Sequence, residues 1–395
     1  MNQKLFNLLL RPIEAVLASI SPIIDQGALS QKLFFVDFVK KLLFAYLEQV
    51  SSLRSLSVEL QTNQKCEDLG LDYTPFSTLK DGFYRFSSEA CRTLFETVLS
   101  ETQLKRIKDL DEIGLFRVID GSLFPTLIQM SWSEYRKKKN AFKLHLNFEL
   151  NRMIPTEFLI GSGKSSEREF LLKVLEGGVT YIADRGYASF EIIAKLLQSQ
   201  AYFVFRVKDN LLFEVQEVLS LADEKLPKCF GQVRDELVIF KNDKNQNRVR
   251  LIQFKVAGSY FRLITNRLEL STLQIIILYA YRWQIELFFK YLKRTLKGLH
   301  LFNHSENGVG IQFYLLMTLG LLLLKFKQEK EPRQKKKRKK AEKNEANPSE
   351  WIKEISEIFY ESWKISKRWL LIIKNSLNKL VDNELLTMLG SCSNF

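Results

Sequence analysis

LFRVIDGS (115–122), AFKLHLNFEL (141–150), MIPTEFLIG (153–161), SSEREFLLKVLEG (165–177) and VTYIAD (179–184) decide the fold. LFRVID reads as a short buried strand ending in Asp120, with Gly121-Ser122 as a turn. The next two segments read as strands that turn at Asn151-Arg152. SSEREFLLKVLEG has helical spacing, with Ser165 or Ser166 as its N-cap. VTYIAD is again a strand and ends in Asp184. FEIIAKLLQSQ (190–200) then reads as a helix and AYFVFRV (201–207) as a strand. Three strands followed by alternating helix and strand predict an α/β core with a mixed sheet.

On the N-terminal side, residues 1–110 read as helical. Apolar residues recur at three- and four-residue spacing in 33–48 and again in 91–107. LRSLSVEL (53–60) and TPFSTLKDGFYRF (74–86) read as two short helices joined by a loop. That suits a helix-turn-helix-like DNA reader and equally an ordinary helical bundle. On the C-terminal side, 208–268 interrupts the core. ELVIFK, RVRLIQFKV and YFRLITN have strand character there, and KNDKNQN is a turn. A long helix at about 271–297 and an apolar helix at 309–326 follow. Residues 327–349, rich in Lys, Arg and Glu between Pro332 and Pro348, read as a basic disordered linker. Within the C-terminal region 350–395, residues 350–389 recover helical periodicity, with Trp351, Trp363 and Trp369 available for packing.

The chain has 395 residues and a net charge of +14, which favours a polyanionic partner. Half of that excess is local: RQKKKRKKAEK (333–343) carries eight cations and one anion. Cys66, Cys91, Cys229 and Cys392 are not spaced as metal ligands and form no dense disulfide framework, so they read as reduced thiols in a cytosolic protein. His145, His300 and His304 make no zinc motif, and His145 reads as structural. The first twenty residues, broken by Arg11 and Glu14, lack a signal-peptide pattern. The apolar run 311–324 is short for a membrane span and reads as a buried helix; no membrane partner is expected.

The chemistry gathers on three carboxylates. Asp120 and Asp184 each close a predicted strand, at the edge where an open α/β sheet places its ligand crevice. Glu286 lies in YAYRWQIELFFKYLK (279–293). On a continuous helix Tyr279, Arg282, Glu286 and Lys293 share a stripe roughly 60° wide, beside a core-facing stripe of Leu278, Ile285, Phe289, Leu292 and Leu296. Three carboxylates from separate elements can hold two hard divalent cations for in-line attack on a phosphodiester. Taken singly, each has a plainer reading: Asp120 and Asp184 start turns, and Glu286 pairs with Arg282 at i−4.

IDGS around Asp120, ADRGY around Asp184 and the Y-x2-R-x3-E-x6-K spacing around Glu286 together resemble the bacterial insertion-sequence DDE transposases of the IS-four family. KLHL (143–146), LITN (263–266) and YRWQIE (281–286) are also similar to that family, and the resemblance covers about residues 115–325. It implies a ribonuclease H-like core, 111–326, with a β-strand insertion, flanked by helical regions. It also implies catalysis by Asp120, Asp184 and Glu286 with two Mg²⁺ (or Mn²⁺) ions. Tyr279, Arg282 and Lys293 would contact DNA phosphates; Arg185 and Trp283 are further candidate DNA contacts. In the best-known relatives an insertion tryptophan stacks on a flipped base. This insertion has none, so Tyr260 or Phe261 would have to substitute, or the base is handled differently.

The expected activity is therefore cleavage and strand transfer of double-stranded DNA at terminal inverted repeats. Residues 1–110 would bind the ends, and 350–395 would serve a homodimer on DNA. The enzyme would be cytoplasmic, at the nucleoid. A ribonuclease H-like nuclease without strand transfer, and a non-catalytic transposase-derived DNA-binding protein, are the alternatives.

Overall fold

The computed structural model describes residues 3–25, 33–125, 130–136, 139–221, 226, 230–256, 259–298 and 301–337. Six helices come first: α1 (Gln3–Ile24), α2 (Phe35–Leu47), α3 (Leu53–Thr62), α4 (Gln64–Asp68), α5 (Phe76–Arg85) and α6 (Ser88–Glu101). Then come α7 (Lys108–Asp111), β1 (Leu115–Pro125), β2 (Glu134–Arg136), β3 (Lys139–Glu149), β4 (Ile154–Ser162), α8 (Glu167–Lys173), β5 (Val179–Ala183), α9 (Phe190–Gln198) and β6 (Tyr202–Arg206). The insertion supplies β7 (Phe213–Val218), β8 (Phe230–Phe240), β9 (Arg248–Val256) and β10 (Ser259–Thr265). Last are α10 (Thr272–Tyr281), α11 (Trp283–Gly298) and α12 (Glu306–Lys337). The expected C-terminal helices, Cys229, Cys392, His300 and residues 338–349 lie outside the described residues.

Two compact units result. The first draws on Met1–Lys105, Thr126–Asn140 and Tyr291–Glu354, the second on Arg106–Pro125 and Ala141–Lys290. So the second half of α11 and all of α12 belong with the N-terminal helices, whereas the sequence placed both in the core at 111–326. In the first unit Ser52 and Ser87 cap α3 and α6 through their side chains, accepting from Ser55 and Ala90 N–H. Phe35, Phe38, Phe83 and Phe86 pack ring against ring beneath them. The span expected to hold two helices holds three, because Asn63 ends α3 and caps α4. Asn307 at the start of α12 donates to the Phe83 and Phe86 carbonyls, 2.9 Å each. The 21-residue stretch Glu306–Phe326 is apolar enough to span a membrane, yet most of it is buried within the protein. Gln312 and Thr318 satisfy their polar groups internally, as in a core helix. The helix continues to Lys337, so 327–337 of the expected disordered linker is helical.

The second unit is an α/β layer structure. Its strands run β4–β3–β1–β5–β6–β10–β9–β8–β7 across one mixed sheet. β1, β5 and β6 are parallel, and the remaining pairs are antiparallel. The insertion thus extends the core sheet, since β10 pairs with β6. β7 was not expected from sequence: FEVQEV is mostly exposed, so its alternation carries no apolar face.

Side-chain alternation decides what each face carries. Ile119, Tyr181, Ala183, Phe203 and Phe205 point into a core closed by Phe170, Leu171, Ile193 and Leu196 of α8 and α9. Their alternates on β1, β5 and β6 face the opposite way, toward α10 and α11, where Phe148 meets Phe288 at 5.6 Å.

Candidate active site

The register of the three parallel strands builds the floor of the site. Val118 pairs with Ile182, and Ala183 with Phe205. Followed onward, that register brings Asp120, Asp184 and Arg206 level with one another, all on the face toward α10 and α11. Asp184 follows the last residue of β5, as expected. Asp120 does not end its strand: β1 goes on to Pro125, still paired with β3 from Asp120–Leu146 to Pro125–Ala141. What stops near Asp120 is the pairing with β5. The aspartate therefore sits where one neighbour has peeled away and the other holds the backbone rigid.

The helix above differs from the expected single helix of 271–297. It breaks at Arg282, between α10 and α11. A Ser271–Gln274 capping box starts α10. The angular stripe expected of one continuous helix does not carry across that break. The side chains nevertheless converge. Arg282 Nη2 donates to Glu286 Oε1 at 2.6 Å, and its Nη1 lies 3.7 Å from Asp120 Oδ2. Tyr279 Oη donates to Asp184 Oδ1 at 3.3 Å, and the Arg282 guanidinium lies 5.7 Å from the Tyr279 ring. One guanidinium and one phenol thus gather all three carboxylates. Among the described residues, no three His, Cys, Asp or Glu side chains stand close enough to share a metal ion; Arg282 occupies the space between two of the carboxylates.

Electrostatics match that crowding. Burial pushes the Asp120 carboxyl up to about 6; Arg282 and the Gly121 N–H pull it back, while Glu167 and Glu286 push it further. Burial likewise raises the Tyr279 phenol to about 12, so it stays a proton donor to Asp184. Arg282 is largely buried and held firmly protonated by its anionic neighbours, yet its Nε–H finds no acceptor.

The other predicted residues separate. Arg185 is exposed beside Asp184 and makes no hydrogen bond or ion pair among the described residues. Trp283 is 40% exposed, with Lys290 Nζ 4.9 Å from its ring. Lys293 belongs to the part of α11 that falls in the other unit. Phe261 packs edge-on against Tyr279 at 6.4 Å, whereas the Tyr260 hydroxyl turns to Gln253. His145 is buried, hydrogen-bonded to Ser165 at 2.7 Å and pushed down to about 4 by burial, which suits a structural neutral imidazole.

The sequence reading missed two neighbours. Arg206 ends β6 with its guanidinium 4.5 Å above the Phe261 ring. Glu167 opens α8 and lies against Gly121 and Gly186. Only the register could have found the first. Nothing local marks the second, because an acid in a helix's first turn is ordinary.

The site is thus a mixed sheet with two in-register aspartates at its parallel edge and a glutamate brought over them by a helix. Residues 113–323, just over half of the chain, match the transposase DDE domain family, and the chain belongs to it. It is 24% identical over 230 residues to a putative transposase, y4zB, of Sinorhizobium fredii, covering 56% of this chain and 63% of that protein. It is 23% identical over 250 residues to a probable transposase for insertion sequence element IS5377 of Geobacillus stearothermophilus, covering 62% and 65%. It is 28% identical over 286 residues to a putative transposase for insertion sequence element IS4SA of Synechocystis, covering 69% and 76%. The chain thus spans slightly under two thirds of the first two relatives. A solved piggyBac transposase synaptic complex with hairpin DNA aligns over 97% of this chain and 86% of that one, with a TM-score of 0.44 and 11% identity.

Proposed function

We propose that the protein is a DNA transposase that cuts phosphodiesters at the ends of an insertion sequence and transfers the freed 3′-hydroxyls to target DNA. The observation that carries this reading is the convergence of Asp120, Asp184 and Glu286 through Arg282 and Tyr279. The donor set fits Mg²⁺ or Mn²⁺: it is all carboxylate oxygen, and Asp120 is costly to ionise without an added cation. Asp120, Asp184 and Glu286 would hold the ions, and two such ions supply an activated hydroxyl nucleophile and a stabilised leaving oxygen.

Occupancy requires Arg282 to leave Asp120, the longer of its two contacts. Its released guanidinium, with Arg185 and Arg206, would face the phosphates of double-stranded DNA. Lys293 and Trp283 would act further along the same helix. Phe261 is already stacked on Phe254 and covered by the Arg206 guanidinium, so the more exposed Tyr260 would be the insertion aromatic to meet a base. Pairing two ends requires a homodimer on DNA, in the cytoplasm at the nucleoid.

The test is cleavage of duplexes carrying the element's own ends. Asp120→Ala, Asp184→Ala and Glu286→Ala should each abolish Mg²⁺-dependent cleavage and joining while leaving end binding intact. Retained cleavage in Glu286→Ala would refute the assignment. Cleaved but never joined products would favour the nuclease alternative.

A further inference from the structure

The first turn of α8 reaches behind the aspartates, on the sheet face away from α10. The Glu167 carboxylate lies so close to two glycines that a β-carbon on either would crowd it. At Gly121 that atom would meet Oε1 at 3.0 Å, and at Gly186 it would meet Oε2 at 3.1 Å. Gly121 follows Asp120, and Gly186 is two residues past Asp184. Lys143 on β3 pins the turn from a third side, with Nζ 3.4 Å from Glu167 Oε1 and 3.2 Å from the Ser165 carbonyl. Next along the helix, Arg168 Nε donates to the Gly186 carbonyl at 3.0 Å. The Tyr187 phenol lies nearby. It is 1% exposed, its hydroxyl has no partner, and its charged neighbours are Glu167 and Asp120. A buried hydroxyl without a partner is uncommon and costly.

We propose that Glu167 is a positioning residue of the catalytic centre: wedged between Gly121 and Gly186 and tethered by Lys143, it fixes the separation of the two aspartate-bearing segments. The proposal rests on the reading of Asp120 and Asp184 as cation ligands. Both segments otherwise part at this level, because β1 and β5 are no longer paired beyond Val118 and Ile182. A side chain that touches the backbone of each replaces the missing ladder. Shape and one accepted hydrogen bond carry the effect, so Gln can stand in for Glu and Ala cannot.

The experiment uses the full chain without DNA. Mn²⁺ binding is followed by the paramagnetic signal of the free ion, with thermal unfolding recorded for each variant. Glu167→Ala should weaken Mn²⁺ binding by roughly tenfold or more, the scale on which supporting residues act on metal sites, at a temperature where the variant is fully folded. Glu167→Gln should recover most of that affinity. Wild-type affinity in Glu167→Ala, or equal losses in Glu167→Ala and Glu167→Gln, would overturn the positioning role. Asp120→Ala serves as the reference. If it loses Mn²⁺ while Glu167→Ala does not, only the positioning role falls. If Asp120→Ala binds Mn²⁺ as the wild type does, the catalytic reading falls and takes the positioning role with it.

Discussion

Asp120 is a carboxylate that the fold makes reluctant to ionise, and a stability consequence follows directly. Its carboxyl, 22% exposed, is pushed to about 6 from an ordinary value of 3.8, with burial as the first cause. A raised folded value means that the native state binds the proton more tightly than the unfolded chain. Stability therefore falls as pH rises from 3.8 toward 6 and stays low above it, by roughly 1–3 kcal/mol for a shift of this size. Asn keeps the shape without the charge. Asp120→Asn should thus be more stable than wild type by about that amount near pH 7.5 without divalent cations, and equal to it near pH 4. Urea unfolding at the two pH values checks this, and a variant less stable at about pH 7.5 would contradict it. The three carboxylates that Arg282 and Tyr279 gather were legible as candidates in sequence because each sits in a short motif. Glu167 and Arg206 were not, because their meaning comes from the register of β1, β5 and β6 and from which glycines lie beneath α8.

At the scale of elements, the buried Arg250 ties the insertion to the start of α10. Arg250 on β9 donates through Nη2 to Asp235 Oδ2 on β8 at 2.6 Å, and through Nη1 to the Leu270 carbonyl at 2.5 Å and the Arg267 carbonyl at 3.1 Å. Thr272, the first residue of α10, donates to the same Asp235 oxygen at 2.7 Å. These contacts set where α10 begins, and so where Tyr279 and Arg282 arrive. Breaking such a pair from one side strands a buried charge and costs about 3–5 kcal/mol. Arg250→Met should cost that much in denaturant unfolding and slow catalysis through a misplaced α10. A loss below about 1 kcal/mol would mean that Asp235 finds other partners. The break after Tyr281 was hidden from sequence. Apolar spacing continues through 278–292 with no Pro or Gly, and Arg282 itself keeps right-handed helical angles. The strands of the insertion were legible where they bury a face, as β9 does, and invisible at β7, which buries almost nothing.

Across the whole molecule, packing ignores the order of the chain. Phe302 stacks on Tyr46 at 5.6 Å, and Asn307 closes onto Phe83 and Phe86. A reading that moves along the sequence sees α12 only as an apolar run beside the core, because nothing in that run names its partner. Charge is different, since it acts without fine geometry. The run 333–343 carries +7 of the net +14, and its first five residues continue α12. Long like-charge runs grip a phosphate backbone without reading bases. Replacing the Lys and Arg residues of 333–343 with Ser should weaken binding to random and inverted-repeat duplexes alike. It should also flatten the salt dependence of both by on the order of one unit of slope for each phosphate no longer neutralised. Cleavage at saturating DNA should stay near wild type, because the carboxylates, Arg282 and Tyr279 are untouched. A weakening confined to inverted-repeat DNA would place the segment in end recognition, and a collapse of saturating cleavage would place it in the assembled active complex.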